Sequence, residues 1–402
     1  MDCCMKILPG VFPDSKIAKK IHCGRTKSEA LIANVLCPHS IEVVTNELNI
    51  PKNIFYLIST DASNKGNLKH YPLAVRYFSK SFGTKNRVID FYVCSEETSD
   101  SISSNILTRL EHNQMNIQYL VYFLQLGEDE CPTFIWDFIK DQEHGLNEED
   151  ELSMNECFLY FVHSFMNVFQ ESIKKLEDST TQSPEVYNIM CRLRSNFKDR
   201  LRDGFYGFKV NQCLPKLQAR EQVRFKDEAN RVFQRIISYL DKWFDYEGSI
   251  YKHIQILNLN REEITFDDLT KIASHFQIKI NGDDMYNEFC WLREWRVKQR
   301  KNLLPIDEQW VAFFSYANSP NLLSLVEFAL ALPVSNAYVE RIFSLMKNLW
   351  TDERNRLSTE MVKAELCVKL NYSLSCKDFY NFIRQEKRLL KIAKSSDKYF
   401  SK

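Results

Sequence analysis

The spacing of apolar residues changes several times along the chain, and each change predicts a different kind of element. Between Lys16 and Leu36, small and apolar residues at Ala18, Ile21, Ala30, Ile32, Ala33 and Leu36 surround Gly24 and predict helix. A second short helix is expected over Ser40 to Leu48, stopping before Pro51, which cannot continue it. Asn53 to Thr60 is a compact apolar and β-branched run ending on Asp61, with the turn formers Asn64, Gly66 and Asn67 beyond it. Tyr71 to Phe82 and Val88 to Cys94 are two further β-rich runs, and the short connections predict an antiparallel three-stranded meander. Ser101 to Glu111 reads as a capped helix. The apolar run Ile117 to Leu126 fits a strand or a buried helix equally well.

Gly127 to Glu156 is acidic and reads in part as a solvated linker. From Leu152 to Phe276 the pattern is helical almost throughout. Phe158, Phe161, Val162, Phe165, Val168 and Phe169 recur at spacings of three and four, as do Val232, Ile236, Leu240 and Trp243. No fixed-period repeat is present, which argues against a solenoid.

The last hundred residues carry the densest pattern. Leu322 to Leu332 is an apolar helix closed by Pro333, and Ser335 stands where an N-cap is expected for the next helix, Asn336 to Trp350. That helix has a wide apolar arc, Val339, Ile342, Phe343, Leu345, Met346, Leu349 and Trp350, with Glu340, Ser344, Lys347 and Asn348 on its narrow polar face. Ser358 is expected to cap a further helix, with Glu360 in its first turn where the helix dipole favours an acid. Leu357, Met361, Ala364 and Val368 form its stripe. Two adjacent arcs this wide cannot cover each other, so a further surface is expected, either the rest of the chain or a second copy. The residues of that surface, and of a dimer interface if a second copy supplies the cover, are Val339, Ile342, Phe343, Met346, Leu349, Leu357, Met361, Ala364 and Val368.

Composition narrows the function classes. The 53 basic residues balance 53 acidic ones, so contact with nucleic acid would need a local patch. Arg192 to Arg235 is such a segment, with Arg192, Arg194, Lys198, Arg220 and Arg224 as the candidate phosphate contacts; interleaved acids at helix spacing favour an ordinary helical surface. The 12 cysteines include no C-x-x-C pair. His22, Cys23, Cys37 and His39 are the nearest thing to a metal cluster, but their spacing fits no common zinc module and core thiols are the expectation. No stretch approaches the roughly 18 consecutive apolar residues of a membrane span, and the first residues do not read as a signal peptide. A cytosolic or nuclear protein without membrane association or a small-molecule substrate is expected.

Leu332-Pro-Val-Ser-Asn-Ala-Tyr-Val-Glu-Arg-Ile-Phe-Ser344, followed by Lys347, Thr351, Arg354, Asn355 and Arg356, resembles the C-terminal dimerisation region of hAT-family transposases. Cys23-Gly-Arg-Thr-Lys27 and Ser59-Thr-Asp-Ala-Ser63, leading into Tyr71-Pro-Leu-Ala-Val-Arg-Tyr-Phe78, are similar to related transposase-derived proteins. The resemblance implies an α+β, mostly helical chain: a ribonuclease-H-like fold interrupted by a large all-helical insertion and partly degenerate. The expected divisions are 1–50, an N-terminal helical segment; 51–112, the first half of the ribonuclease-H-like unit; 113–305, the helical insertion with its acidic linker; and 306–402, the C-terminal dimerisation helices.

The family cuts DNA with three carboxylates that hold two divalent metals, because hard Mg²⁺ takes oxygen ligands and two ions activate the attacking water and stabilise the leaving oxygen. By resemblance Asp61 matches the first aspartate and Glu340 the closing glutamate. No match to the second aspartate is found, and Asp129 is the nearest stand-in. The sequence as given carries no N-terminal zinc finger of the kind these transposases use to find DNA, which leaves site-specific binding in doubt. The expectation is therefore a domesticated or decayed transposase remnant, favouring the nucleus, that acts as a homodimer, with no cofactor unless Mg²⁺ or Mn²⁺ serves residual catalysis. The alternatives are a metal-dependent transposase or nuclease using Asp61, Glu340 and a displaced third acid, and a non-specific DNA-binding protein.

Overall fold

The computed structural model describes residues 10–20, 23–49, 54–65, 68–94, 98–125, 150–299, 304–351, 354, 356–372 and 374–399. The chain is α+β and mostly helical with one small mixed sheet. It divides into two compact units, the first built from Met1–Phe78, Thr84–Leu126 and Asn336–Lys402, the second from Ser79–Gly83 and Gly127–Ser335.

In the first unit, α1 (Lys16–Lys20) is separated from α2 (Arg25–Leu31), whose N-cap is the extended Gly24. From Arg25 the helix runs without a stop to the end of α3 (Cys37–Asn49), passing through a π-helical turn at Ile32–Leu36. The sequence reading placed a break between two helices here, and the physical reason there is none lies at Pro38. Proline has no N–H for the carbonyl four residues back, so the helix widens instead: the Cys37 N–H donates to the Ile32 carbonyl, five residues back.

The sheet contains β1 (Tyr56–Thr60), β2 (Ser63–Lys65), β3 (Leu68–Ser79), β4 (Gly83–Cys94) and β5 (Leu120–Gln125). β3 pairs with β1, β2 and β4, the first two antiparallel. The expected meander is present as β1, β3 and β4. The ambiguous run after α4 (Ser99–His112) resolves into a 3₁₀ turn at Ile117–Tyr119 and then β5, which pairs parallel with β1. Residues 113–126, grouped with the insertion in the sequence reading, thus fall in the first unit.

β3 is buried almost end to end because both faces of the sheet are covered. Successive side chains point to opposite faces. Leu73, Val75 and Tyr77 join Val44 and Leu48 of α3 and Ile102, Ile106 and Leu110 of α4 in one core. Ala74, with Val88 and Phe91 of β4, belongs to the other, filled by Val339, Ile342 and Met346 of α14 (Ala337–Leu349) and by Val362 and Leu366 of α15 (Thr359–Asn371). Asn371 ends α15 by treating β4 as a neighbouring strand would: its carboxamide accepts from the Val88 N–H at 2.9 Å and donates to the Val88 carbonyl at 2.8 Å.

The second unit is helical. α5 (Asp150–Glu177), α6 (Ser183–Asp203), α7 (Phe208–Cys213) and α8 (Ala219–Trp243) enclose an aromatic core in which Phe161 meets Phe165 and Phe233 edge-on at 5.1 and 5.2 Å. The expected phenylalanine stripe of α5 is this core. The shorter α9 (Ile250–Ile254) and α10 (Phe266–His275) follow, then α11 (Gly282–Lys298), α12 (Ile306–Tyr316) and α13 (Pro320–Ala331). Glu288 of α11 is buried, and its carboxylate accepts from the backbone N–H groups of Asn321 and Leu322, satisfying donors that the start of α13 leaves open.

Candidate functional site

Asp61 lies at the end of β1, where the ladder is interrupted. Ser59 pairs with Ala74 and Ser63 with His70, so β2 continues the register of β1 and Asp61 falls opposite Pro72. Proline cannot donate to a ladder. The Thr60 hydroxyl instead donates to the Pro72 carbonyl at 2.7 Å, and the Asp61 carboxylate accepts from the Ala62 N–H at 2.7 Å. The interruption of the ladder at Asp61 thus has a cause in the sequence of the neighbouring strand.

Glu340 is exposed in the first turn of α14. The N-cap of that helix is Asn336 rather than the expected Ser335, and it makes no side-chain capping bond. α14 is held on the sheet by its buried arc and, at its end, by Trp350. That ring lies edge-on to His70 at 5.1 Å, and its carbonyl accepts from the Lys65 ammonium at 2.9 Å. Asp61 and Glu340 therefore belong to the same compact unit although 279 positions separate them in the chain (340 minus 61). Asp129 lies outside the described residues, and among the described residues no group of three or more His, Cys, Asp or Glu is placed to hold a metal ion.

A buried carboxylate that the sequence reading did not single out is Asp90 on β4. It is paired with Arg109 of α4 at 2.9 Å and Lys363 of α15 at 2.5 Å, and it accepts from the Phe91 N–H. With both cations already on it, Asp90 clamps a helix from each side of the sheet to β4. Nothing in local spacing marks it, since its partners lie 19 and 273 residues further on (109 minus 90, 363 minus 90).

Cys23, Cys37 and His39 each have a partner within the chain. His22 is outside the described residues; the Cys23 thiol meets the Ser28 hydroxyl, His39 shares a 2.5 Å hydrogen bond with the Tyr372 hydroxyl, and Cys37 faces Cys367. Hydrogen bonding to Cys367 lowers the Cys37 thiol, while Cys37 and burial hold Cys367 well above its ordinary value.

Of the candidate phosphate contacts, Arg194 is paired with Asp241 at 2.6 Å and lies over the Tyr246 ring, and Arg224 is paired with Glu228 at 3.0 Å. Arg192, Lys198 and Arg220 are exposed. Charge in this segment is thus partly neutralised within the helices.

The residues assigned to a dimer interface divide in the same way. Val339, Ile342, Met346, Met361 and Ala364 are buried in the chain's own core, so they are not surface available to a second copy. The arc is covered by the sheet, a partner that lies too far back in the sequence for local patterning to reveal. Phe343, Leu349, Leu357 and Val368 are half-buried at the edge of that core. Downstream, Ser358 caps α15 as expected, accepting from the Met361 N–H at 3.2 Å with Glu360 in the first turn.

The helices from the second half of α11 to α15 coincide with a known sequence family. Residues 290–372 match the model of the hAT family C-terminal dimerisation region, a match that supports a hAT transposase-derived protein.

Proposed function

We propose that the chain acts through self-association, as a domesticated or decayed transposase whose working part is the matched C-terminal region. The observation that carries this reading is the match over residues 290–372 combined with what remains exposed there. Large apolar side chains at the surface of that region are Trp291, Val297, Leu304 and Tyr316, all from the second half of α11 to the end of α12. A stable interface needs roughly 800 Å² per partner, and aromatic side chains are its usual anchors. The second copy is accordingly expected to seat on the α11–α12 surface, with the edge residues Phe343 and Leu349 secondary. Light scattering tests this: a dimer at micromolar concentration is expected, and a monomer overturns the reading.

A second reading is favoured by one arrangement. Three antiparallel strands, a helix, a strand parallel to the first, and helices on both faces are the layout expected of a ribonuclease-H-like unit, with Asp61 at the end of β1 and Asp129 a few residues beyond β5. In this reading Asp61 and Glu340 hold Mg²⁺ together with a third acid, and the ions supply the nucleophile and charge stabilisation for DNA cleavage. Nicking of hairpin or terminal-repeat DNA in Mn²⁺, abolished by Asp61→Ala, supports it; no cleavage in Mn²⁺ removes it.

A further inference from the structure

The second unit contains a groove of about 570 Å³ between α5, the C-terminal end of α6 and the start of α7, well within the size range of ligand sites. Its wall is shaped by the turn Gly204-Phe-Tyr-Gly207. Gly204 closes α6 in the left-handed conformation (φ +60°). Gly207 has φ +136°, and a Cβ there would come within 2.7 Å of the Ser164 side chain, so the turn can sit against α5 only with glycine at this position. The turn tucks Tyr206 into the core, where its hydroxyl bonds Asn230 at 3.0 Å, and leaves Phe205 and Phe208 outside. Phe208 is 72% exposed.

The cations in this groove have unusual company. Arg200 donates to Asn196 at 2.8 Å and to Ser164 at 3.1 Å and lies over the Phe205 ring at 5.2 Å; among the described residues no carboxylate pairs with it. Burial lowers the affinity of its guanidinium for the proton, which marks a charge held away from water. The Lys209 ammonium lies over the Tyr160 ring at 4.9 Å. Glu171 is the single carboxylate among the described lining residues. Elsewhere in α6, Arg194 is matched with Asp241 and Arg202 with Asp199 and Asp203, so a groove whose arginine has no carboxylate partner among the described residues, beside an outward phenylalanine, stands apart.

We propose that this groove binds an unpaired nucleotide of a single-stranded nucleic acid, with Arg200 and Lys209 on the phosphates and the base against Phe208. Planar guanidinium groups suit phosphate oxygens, and base stacking on an exposed aromatic ring is tolerant of sequence. A duplex would offer the phosphates but not the face of a base. The site is independent of dimerisation.

The test is fluorescence anisotropy of the full chain with a labelled oligo-dT strand and with a duplex of equal length. Single-strand binding is expected to be the tighter, and Phe208→Ala is expected to weaken it by about tenfold or more while changing duplex binding little. Lys209→Glu should weaken binding of the strand and reduce its salt dependence. Both side chains are exposed, and circular dichroism of the two variants reports whether folding is kept. Lys279→Glu, exposed between α10 and α11 and outside the groove, should leave strand affinity within about twofold of the parent. No binding of the strand, equal affinity for duplex, or strand affinity unchanged in both Phe208→Ala and Lys209→Glu overturns the proposal.

Discussion

The phenylalanine stripe of α5 and the apolar arc of α14 look alike in sequence, yet they find their covers at very different distances. Phe158, Phe161 and Phe165 are covered by α6 and α8, the next long helices of the chain. Val339, Ile342 and Met346 are covered by Ala74, Val88 and Phe91, on strands about 250 residues earlier. The width of an apolar arc measures how much must be buried. It does not say what buries it. An arc that outgrows its sequence neighbours suggests a second molecule, and in this chain the chain's own sheet fills that role.

The comparison can be broken at several points. The largest effect is expected from Asp90→Ala, which strands Arg109 and Lys363 without the carboxylate they share. Removing one partner from such a buried cluster costs about 3–5 kcal/mol, read as a loss of urea stability. If that loss is under about 1 kcal/mol, the clamp between α15 and the sheet is not formed. Ile342→Ala comes next. As a core residue it should cost about 2–5 kcal/mol in urea unfolding extrapolated to low protein concentration, alongside about 3–5 kcal/mol for Phe161→Ala. An Ile342 effect that vanishes on dilution would return that side chain to an intermolecular interface. Ser358→Ala removes the cap of α15 and should cost about 1 kcal/mol, checked by thermal melting.

The smallest effect concerns protons. Burial pushes the His70 imidazole below its ordinary value of 6.5. Because the folded state resists protonation more than the unfolded chain, the stability tied to the neutral ring is full above pH 6.5 and is lost as pH falls below it. Burial lowers His39 and His253 as well, so the melting temperature should decline from pH 7.5 to about pH 5.5. His70→Leu should shallow that decline, and an unchanged slope would remove His70 as a contributor.

Much of this fold was legible where the determinants are local. Ser358 and Glu360 announced a helix start, the phenylalanine spacing announced α5, and the β-branched run before Asp61 announced β1. Determinants acting across the chain were not legible. Periodicity left β5 undecided, because a six-residue apolar segment paired beside β1 carries no alternation to distinguish it from helix. The two helices expected over Lys16 to Leu36 and Ser40 to Leu48 are joined, because one residue of π-helical slack absorbs the missing N–H of Pro38. Asp90 gave no sign, since both its cations lie on other elements. At the candidate carboxylate site, Asp61 and Glu340 were read from their motifs, and the structure adds that they share a unit and that Pro72 interrupts the ladder beside Asp61. The groove at Phe208 was missed because the segment was read as an ordinary helical surface; the paired glycines at 204 and 207 were the available signal.

The account rests on the claim that the α14 face is internal while self-association uses the α11–α12 surface. Light scattering of Trp291→Ala/Val297→Glu beside the parent chain tests it most directly. The account predicts a dimeric parent at micromolar concentration and a double variant that runs at the mass of one chain with its melting temperature unchanged. A monomeric parent, or a double variant that remains a dimer, would contradict it.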